Sequence, residues 1–279
     1  MEIGLLMIAG GVGAGLFGSL LGLGGGVLLV PLLTLGFDLP VREAVGVSLV
    51  CVIVTSAASA SVFLDRRVAN LRLGMVLELF TALGALIGGT IAFLLDERFL
   101  AGLFSLLLVY TATTMLRPRG PAGVEDVAVP DPDAPDASAA TSWSRVGDAM
   151  SGESYRVRAP VPGAIGGIGG GVMSALLGIG GGLVMVPVMH VVMQVPLRVA
   201  TATSNFMIGV TASTSALVYL FRGGIDPYAT GPAAVGVFVG AAVGSRIAHR
   251  IDLRLLRVLF AGVLAYTAFL MFRRALGVG

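Results

Sequence analysis

Long apolar runs separated by short polar segments dominate the chain. Residues 3–37 are almost wholly apolar and are interrupted only by a glycine-rich break at residues 22–26. The next three runs are each close to the roughly 20 residues that an α-helix needs to cross a bilayer. They cover residues 41–64, 73–95 and 99–116. Because only 12% of the 279 residues are charged and 56% are hydrophobic, the pattern predicts an all-α polytopic membrane protein rather than a soluble domain.

The glycine-rich break, Gly22-Leu23-Gly24-Gly25-Gly26, divides the first apolar run into unequal arms. Each glycine costs about 1 kcal/mol relative to alanine inside a helix, so the run ends or breaks the helix. The arm after it, Val27–Phe37, is about 16 Å long as a helix, which is half a bilayer. Broken helices inside a membrane are tolerated only where they are buried in protein or line a cavity. The sequence therefore predicts a transport site at this break.

The whole pattern repeats 156 residues later without a gap over about 100 residues. The second break is Gly178-Ile179-Gly180-Gly181-Gly182, and both breaks are followed five residues later by a proline, Pro31 and Pro187. Internal repeats are a signature of secondary transporters. We predict two homologous transmembrane repeats, residues 1–116 and 161–279. The Pro-rich, acidic residues 117–160 are predicted to form a flexible linker outside the membrane.

Two topologies fit this pattern. If each broken element is a re-entrant hairpin, each repeat crosses three times and the repeats are inverted. If each broken element crosses, each repeat crosses four times and the repeats are parallel. Inverted repeats would place 5 of the 18 arginines on one side of the membrane and 13 on the other, whereas parallel repeats would place 11 on one side and 7 on the other. The positive-inside rule favours the more asymmetric division, and therefore inverted repeats with the linker in the cytoplasm and both termini outside.

The short arm after each break begins a helix near mid-membrane in either topology. Its first N–H groups lack intrahelical partners and carry the positive end of the helix dipole, which favours an anion. The following span supplies hydroxyls, of which Ser48 and Ser204 occupy equivalent positions, and Asn205 adds an amide. The predicted anion-binding residues are Gly22, Gly24, Gly25, Gly26, Ser48, Gly178, Gly180, Gly181, Gly182, Ser204 and Asn205.

Three other polar or reactive groups lie in the apolar segments. Glu78 and His190 are the candidates for proton coupling, because intramembrane ionisable groups are commonly functional. The single cysteine, Cys51, is interpreted as a buried hydrophobe. We find no pattern typical of a metal site, a bound cofactor, nucleic-acid binding or an enzyme. The expected partners are a small anion and the lipid bilayer, and a homo-oligomer is left open.

The doubled glycine motif with its following proline, then Pro40 or Pro196 and a span rich in small polar residues, resembles the TauE/SafE sulfite exporter family. The resemblance covers nearly everything outside the linker. It implies a multi-pass transporter in the plasma membrane for a small anion, such as sulfite, another sulfur oxyanion or an organosulfonate. The long linker is larger than the resemblance implies. Because Thr201, Thr203 and Asn205 are not mirrored in repeat 1, the two halves of the site are expected to be unequal.

The interpretation is therefore a gradient-driven transporter that works by alternating access. A passive anion channel of the same architecture is the first alternative. A membrane-embedded enzyme or sulfur carrier that uses Cys51 is the second.

Overall fold

A computed structural model describes residues 2–21, 25–65, 70–116, 157, 159–247 and 253–277. These residues form ten α-helices and one π-helical turn, and none of them lies in a strand. The predicted linker lies almost entirely outside them. The helices are α1 Glu2–Leu21, α2 Gly26–Gly36, α3 Val41–Asp65, α4 Leu71–Ala92, α5 Glu97–Leu116, α6 Pro160–Leu177, α7 Gly182–Pro187, α8 Leu197–Phe221, α9 Pro227–Ile247 and α10 Leu253–Ala275; the π-helical turn, Val188–Val192, continues α7.

Six of the described helices are long and apolar enough to cross a membrane, which confirms the predicted all-α polytopic class. They are α1, α4, α6, α8, α9 and α10. The set includes α1 and α6, the long arms that precede the two glycine breaks. Each broken element therefore has one arm of full membrane length and one arm of about half that length.

Each broken element is a hairpin. A side chain added at Gly10 would touch Leu32, while Gly25 lies beside Ala14, so residue numbers rise along α1 as they fall along α2. The second break has the same geometry, because Gly163 faces Met193 and Gly170 faces Met185. The short arms thus turn back along the long arms, as the re-entrant alternative requires.

The long arm of each hairpin packs against a helix of the other half of the chain. Gly15 of α1 meets the backbone of Val237 in α9, and Gly171 of α6 meets the backbone of Thr81 in α4. Glycine allows this approach because it has no side chain, as in other small-residue contacts between membrane helices. The α1–α9 and α4–α6 contacts are equivalent under the 156-residue offset, which is consistent with a duplicated chain.

Helices at equivalent positions run antiparallel to each other. In the α3–α8 pair, Gly46 faces Gly224 near one end and Ser56 bonds to the carbonyl of Asn205 near the other. In the α5–α10 pair, the Ser105 hydroxyl donates to the carbonyl of Ala268, and Gly102 faces Ala275. Parallel repeats would bring equivalent helices together in the same direction. The antiparallel pairs have the geometry that inverted repeats require.

The hairpins and helix pairs place the helix ends on two faces. One face, which we call the Arg-poor face, contains the starts of α1, α3, α5 and α9 and the ends of α2, α4, α8 and α10. Arg42 of α3 bonds there to the carbonyls of Ala92 and Leu95 at the end of α4, and Arg274 bonds to the carbonyl of Thr34. The described arginines divide evenly, with positions 42, 98, 222, 273 and 274 at this face and positions 72, 198, 246, 254 and 257 at the opposite helix ends. The name refers to the 5 to 13 division of all 18 arginines, which includes arginines outside the described residues.

We expect Gly171→Ala to destabilise the protein and Gly169→Ala to leave it unchanged or slightly more stable. The new methyl at residue 171 would press on the α4 backbone, and overpacking of this kind costs roughly 1–3 kcal/mol. Gly169 lies on the same helix with nothing within 4 Å of an added methyl. Thermal unfolding in detergent measures both changes, and equal effects at the two positions would refute the packing role.

We expect a reporter fused to the C-terminus to lie outside the cytoplasm, because α10 ends at the Arg-poor face and cytoplasmic loops carry the excess of arginine. A reporter pair, one active only in the cytoplasm and one only outside it, measures the location. The same pair inserted within residues 117–160 is the matched control and should report the cytoplasm. A cytoplasmic C-terminus would rule out the inverted topology.

Candidate functional site

The two glycine breaks have the same backbone geometry where the short arms begin. Gly25 precedes α2 and Gly181 precedes α7, and both have φ of +76°. The left-handed conformation costs an L residue about 1–2 kcal/mol, so these positions require glycine. Gly22 and Gly24, which we predicted to bind the anion, lie outside the described residues.

Both short arms begin near the middle of the membrane-spanning layer, as the sequence predicted. Gly25 lies beside Ala14 and Gly15, and Gly15 packs on Val237, the middle residue of α9. In the other half, Gly181 lies beside Gly170, whose neighbour Gly171 packs on Thr81, near the middle of α4. Because α9 and α4 are of full membrane length, these contacts place both helix starts at mid-depth.

The two breaks touch each other. A methyl added to Gly26 would lie 2.6 Å from the carbonyl oxygen of Gly178 and 2.7 Å from a methyl of Val52. A methyl added to Gly180 would lie 2.6 Å from the side chain of Ile208. The segments meet through their backbones, and the side chains of Val52 and Ile208 pack against the glycines of the two breaks.

Ser48 holds the breaks together. Its hydroxyl is fully buried and donates to the carbonyl of Gly178 at 2.8 Å, with the carbonyl of Gly26 at 3.3 Å. One hydroxyl has a single hydrogen to donate, so the shorter bond, to Gly178, is the stronger. The hydroxyl that we predicted to bind an anion therefore already bonds to the break of the opposite half.

Ser204 occupies the equivalent position and behaves differently. Its hydroxyl is 3.3 Å from the position of a methyl added to Gly182, and the residue is 1% exposed. Within the described part of the chain this hydroxyl has no hydrogen-bond partner. A buried polar group without a partner costs about 1–3 kcal/mol, so a bound ligand or water would stabilise it.

Asn205, the amide beside Ser204, bonds within its own helix. Its side-chain nitrogen donates to the carbonyl of Thr201 at 3.0 Å, and its backbone carbonyl accepts from the Ser56 hydroxyl at 3.0 Å. The side-chain nitrogen therefore already donates a hydrogen bond to the preceding turn of α8 and has fewer hydrogens left to donate to an anion.

Ser174 is a site residue that sequence reasoning missed. It is fully buried in α6, and its Cβ is 3.5 Å from the position of a methyl added to Gly181. Like Ser204, its hydroxyl has no partner among the described residues. The sequence could have indicated this residue, because Ser174 is the one hydroxyl residue of α6 and lies four residues before the break.

Glu78 lies in α4 and is 7% exposed. One carboxyl oxygen, Oε1, accepts a hydrogen bond from the Thr211 hydroxyl at 2.9 Å. The other, Oε2, is buried and has no partner in the described residues. The Thr81 hydroxyl is close by but donates to the backbone carbonyl of Glu78 itself at 3.1 Å.

His190, the second candidate for proton coupling, lies in the π-helical turn that continues α7. Its Nδ1 is 3.0 Å from the carbonyl of Val195, so the ring bridges the turn and the segment before α8. This contact gives the histidine a structural partner on the backbone. Sequence reasoning did not predict the π-helical turn.

Cys51 is fully buried in the main apolar core, in agreement with its interpretation as a small hydrophobe. Across the described residues, no three His, Cys, Asp or Glu side chains lie close enough to hold a metal ion. A groove of about 550 Å³ lies between α1, α2 and α10, but it is lined by residues such as Phe17, Leu28 and Phe260. None of the polar residues above lines this groove.

The comparisons with known proteins agree with this architecture. The family described as sulfite exporter TauE/SafE matches residues 7–271. The "Probable membrane transporter protein YunE" of Bacillus subtilis (strain 168) is 25% identical over 260 residues, which cover 89% of each chain. No solved structure matches the chain. Because the family match extends over nearly the whole chain, the protein belongs to the TauE/SafE sulfite exporter family and is a multi-pass membrane transporter.

Proposed function

We propose that this protein moves a small anion, sulfite or another sulfur oxyanion or organosulfonate, across the cell membrane by gradient-driven alternating access. The observation that carries the proposal is the contact of the start of α2 with the second glycine break at mid-membrane, beside the Ser204 hydroxyl, which has no partner among the described residues. The family description, which names sulfite, makes sulfite the first anion to test.

The electrostatics of the glycine contact favour an anion. The N-terminus of a helix carries a partial positive charge of about half an elementary charge, and its first N–H groups lack intrahelical partners. Two such ends, from α2 and from the arm formed by α7 and the π-helical turn, begin in the two breaks that are in contact. Neutral donors of this kind bind an oxyanion without the strong attraction of a full positive charge, which suits a substrate that must leave again.

The unequal serines suggest which half binds the anion. Ser48 bonds to the opposite break, whereas the hydroxyls of Ser204 and Ser174, beside Gly182 and Gly181, have no partner in the described part of the chain. We place the anion against the second break, between these two hydroxyls. Ser48 then acts as the support that fixes the first break against the second.

The closed contact favours a transporter over the channel alternative. Val52 and Ile208 lie against Gly26, Gly180 and Gly182, so apolar side chains fill the contact between the breaks in the described arrangement. A channel would need an open path between the breaks. Proteoliposomes distinguish the two, because a channel shows flux without coupling to any gradient and with weak saturation.

We expect the purified protein to be stabilised by sulfite or a related sulfur oxyanion in a thermal-shift screen. A ligand at about 100 times its dissociation constant raises the stability of the native state by roughly 2.7 kcal/mol. The screen compares sulfite, sulfate, thiosulfate, sulfonates and carboxylates, with organic cations as the control class. Stabilisation by cations alone would overturn the proposed anion site.

We expect Ser48→Ala and Ser204→Ala to have opposite signatures although the residues are equivalent. Ser48→Ala removes a made hydrogen bond and leaves the Gly178 carbonyl unpaired, so it should lower the unfolding free energy by about 1–3 kcal/mol. Ser204→Ala removes a buried hydroxyl that has no partner among the described residues, so it should raise the unfolding free energy by up to about 1–3 kcal/mol and weaken sulfite binding. Thermal unfolding with and without sulfite measures both, and unchanged sulfite binding in Ser204→Ala would contradict the placement of the anion.

A further inference from the structure

We propose that Glu78 binds the proton that is cotransported with the anion, so that proton and anion move in the same direction. The proposal rests on the proposed function and adds a coupling ion and its binding residue. The step is a simple protonation, in which Oε2 of the carboxylate takes up one proton and releases it on the other side of the membrane.

The geometry around Glu78 leaves one position open. Oε1 already accepts the hydrogen bond from Thr211, and Oε2 is buried with no partner among the described residues. Glu78 lies seven residues, or about 10 Å, into α4, well inside the membrane-spanning segment. A proton bound at Oε2 would remove the negative charge of this buried carboxylate.

Among the described residues of the helices packed against α4, none places a charged group beside Glu78. Helix α6, from Pro160 to Leu177, contains no titratable side chain. In α8, the titratable groups are Arg198 in the first turn and Tyr219 in the last turns, both two or more turns away from Thr211. On α4 itself, Arg72 is exposed and lies at the end of the helix. An ionised carboxylate buried without an opposite charge is strongly unfavourable, and a proton is the smallest cation that neutralises it.

Glu78 is linked to the anion site through α8. Thr211, its hydrogen-bond donor, lies seven residues after Ser204, so both residues lie on one face of the helix about 10 Å apart. Ile208, which packs against Gly180 and Gly182, lies between them on that face. A change in the charge of Glu78 therefore acts on the helix face on which Ser204 lies.

The sign of the coupling follows from the charges. A carboxylate at Glu78 and an anion at Ser204 repel each other in a low-dielectric interior, whereas a neutral carboxylic acid does not repel the anion. Anion binding and proton binding then favour each other, and such linkage is reciprocal. This predicts cotransport in one direction and excludes exchange of an anion for a proton.

The first test measures the proton without any substrate. Infrared spectra of the purified protein are recorded as the pH is raised, and the carbonyl band of a buried carboxylic acid is followed. We expect a band that disappears at alkaline pH, is absent from Glu78→Gln and persists in Glu97→Gln, the control for an exposed acid on α5. A spectrum that is the same in the wild type and in Glu78→Gln would overturn the proposal.

The second test measures coupling in proteoliposomes, with radiolabelled sulfite as the probe and flux in empty vesicles subtracted. The external pH is fixed, so that the protonation of external sulfite is constant, and the lumen is either equal or more alkaline. We expect the inward proton gradient to stimulate wild-type uptake by at least about fivefold, the lower end of typical coupling between linked sites. Glu78→Gln should lose this stimulation and retain sulfite–sulfite exchange, while Glu97→Gln should retain both.

The outcomes separate the two proposals. If the wild type carries sulfite but a pH gradient has no effect, or slows uptake, the proton inference is wrong and the proposed function stands. Stimulation by a sodium gradient that depends on Glu78 would also overturn the inference, in favour of a sodium site. If no anion of the screen binds and sulfite does not move, the proposed function fails, and the infrared titration alone decides whether Glu78 binds a proton.

Discussion

The architecture depends on a backbone-to-backbone contact between two glycine-rich breaks in the middle of a membrane. Two broken helices can meet there only if no side chain separates them, and the closest approach, between Gly26 and the carbonyl of Gly178, leaves no room for a methyl group. The contact brings polar backbone groups into an apolar layer, where each must find a partner. Ser48 provides one such partner. The long arms α1 and α6 pack beside the contact, so that protein rather than lipid lies against the breaks.

The two halves share a fold and differ in chemistry. The first break is followed by an 11-residue α-helix, and the second by a six-residue α-helix that continues into a π-helical turn anchored through His190. The three buried hydroxyl or carboxyl oxygens without partners in the described residues belong to Glu78, Ser174 and Ser204. Two of these residues adjoin the second break and the third is linked to it through α8. The polar groups available to a ligand are therefore concentrated at one of the two breaks, although the two halves have nearly the same fold.

Much of the fold could be predicted from the sequence, because it depends on features that a one-dimensional pattern records. Apolar runs give the helices, glycine runs give the breaks, and the 156-residue offset gives the pairing of Ser48 with Ser204. The direction of the short arms could only be inferred from the arginine distribution, and the contacts of Gly10 and Gly163 now give it directly.

The site itself was less accessible to sequence reasoning. Equivalence of position suggested equal roles for Ser48 and Ser204, but the roles depend on which carbonyl each hydroxyl reaches, and that is a matter of three-dimensional packing. Ser174 was missed for the same reason, because its counterpart in the first half is Gly18 and no repeat signal marks it. The partner of Glu78, Thr211, is 133 residues away in the chain.

The packing of α1 against α9 has a consequence for how the protein is made. Gly15 and Val237, which touch, are separated by about 220 residues of chain. At a synthesis rate of about 5–20 residues per second, the first helix spends roughly 10 to 45 seconds in the membrane before its partner is made. During that time its glycine-lined surface has only lipid or the insertion machinery to contact. The first hairpin therefore completes its packing only after α9 has been made, whereas the partner of α6, helix α4, is already present when α6 is made.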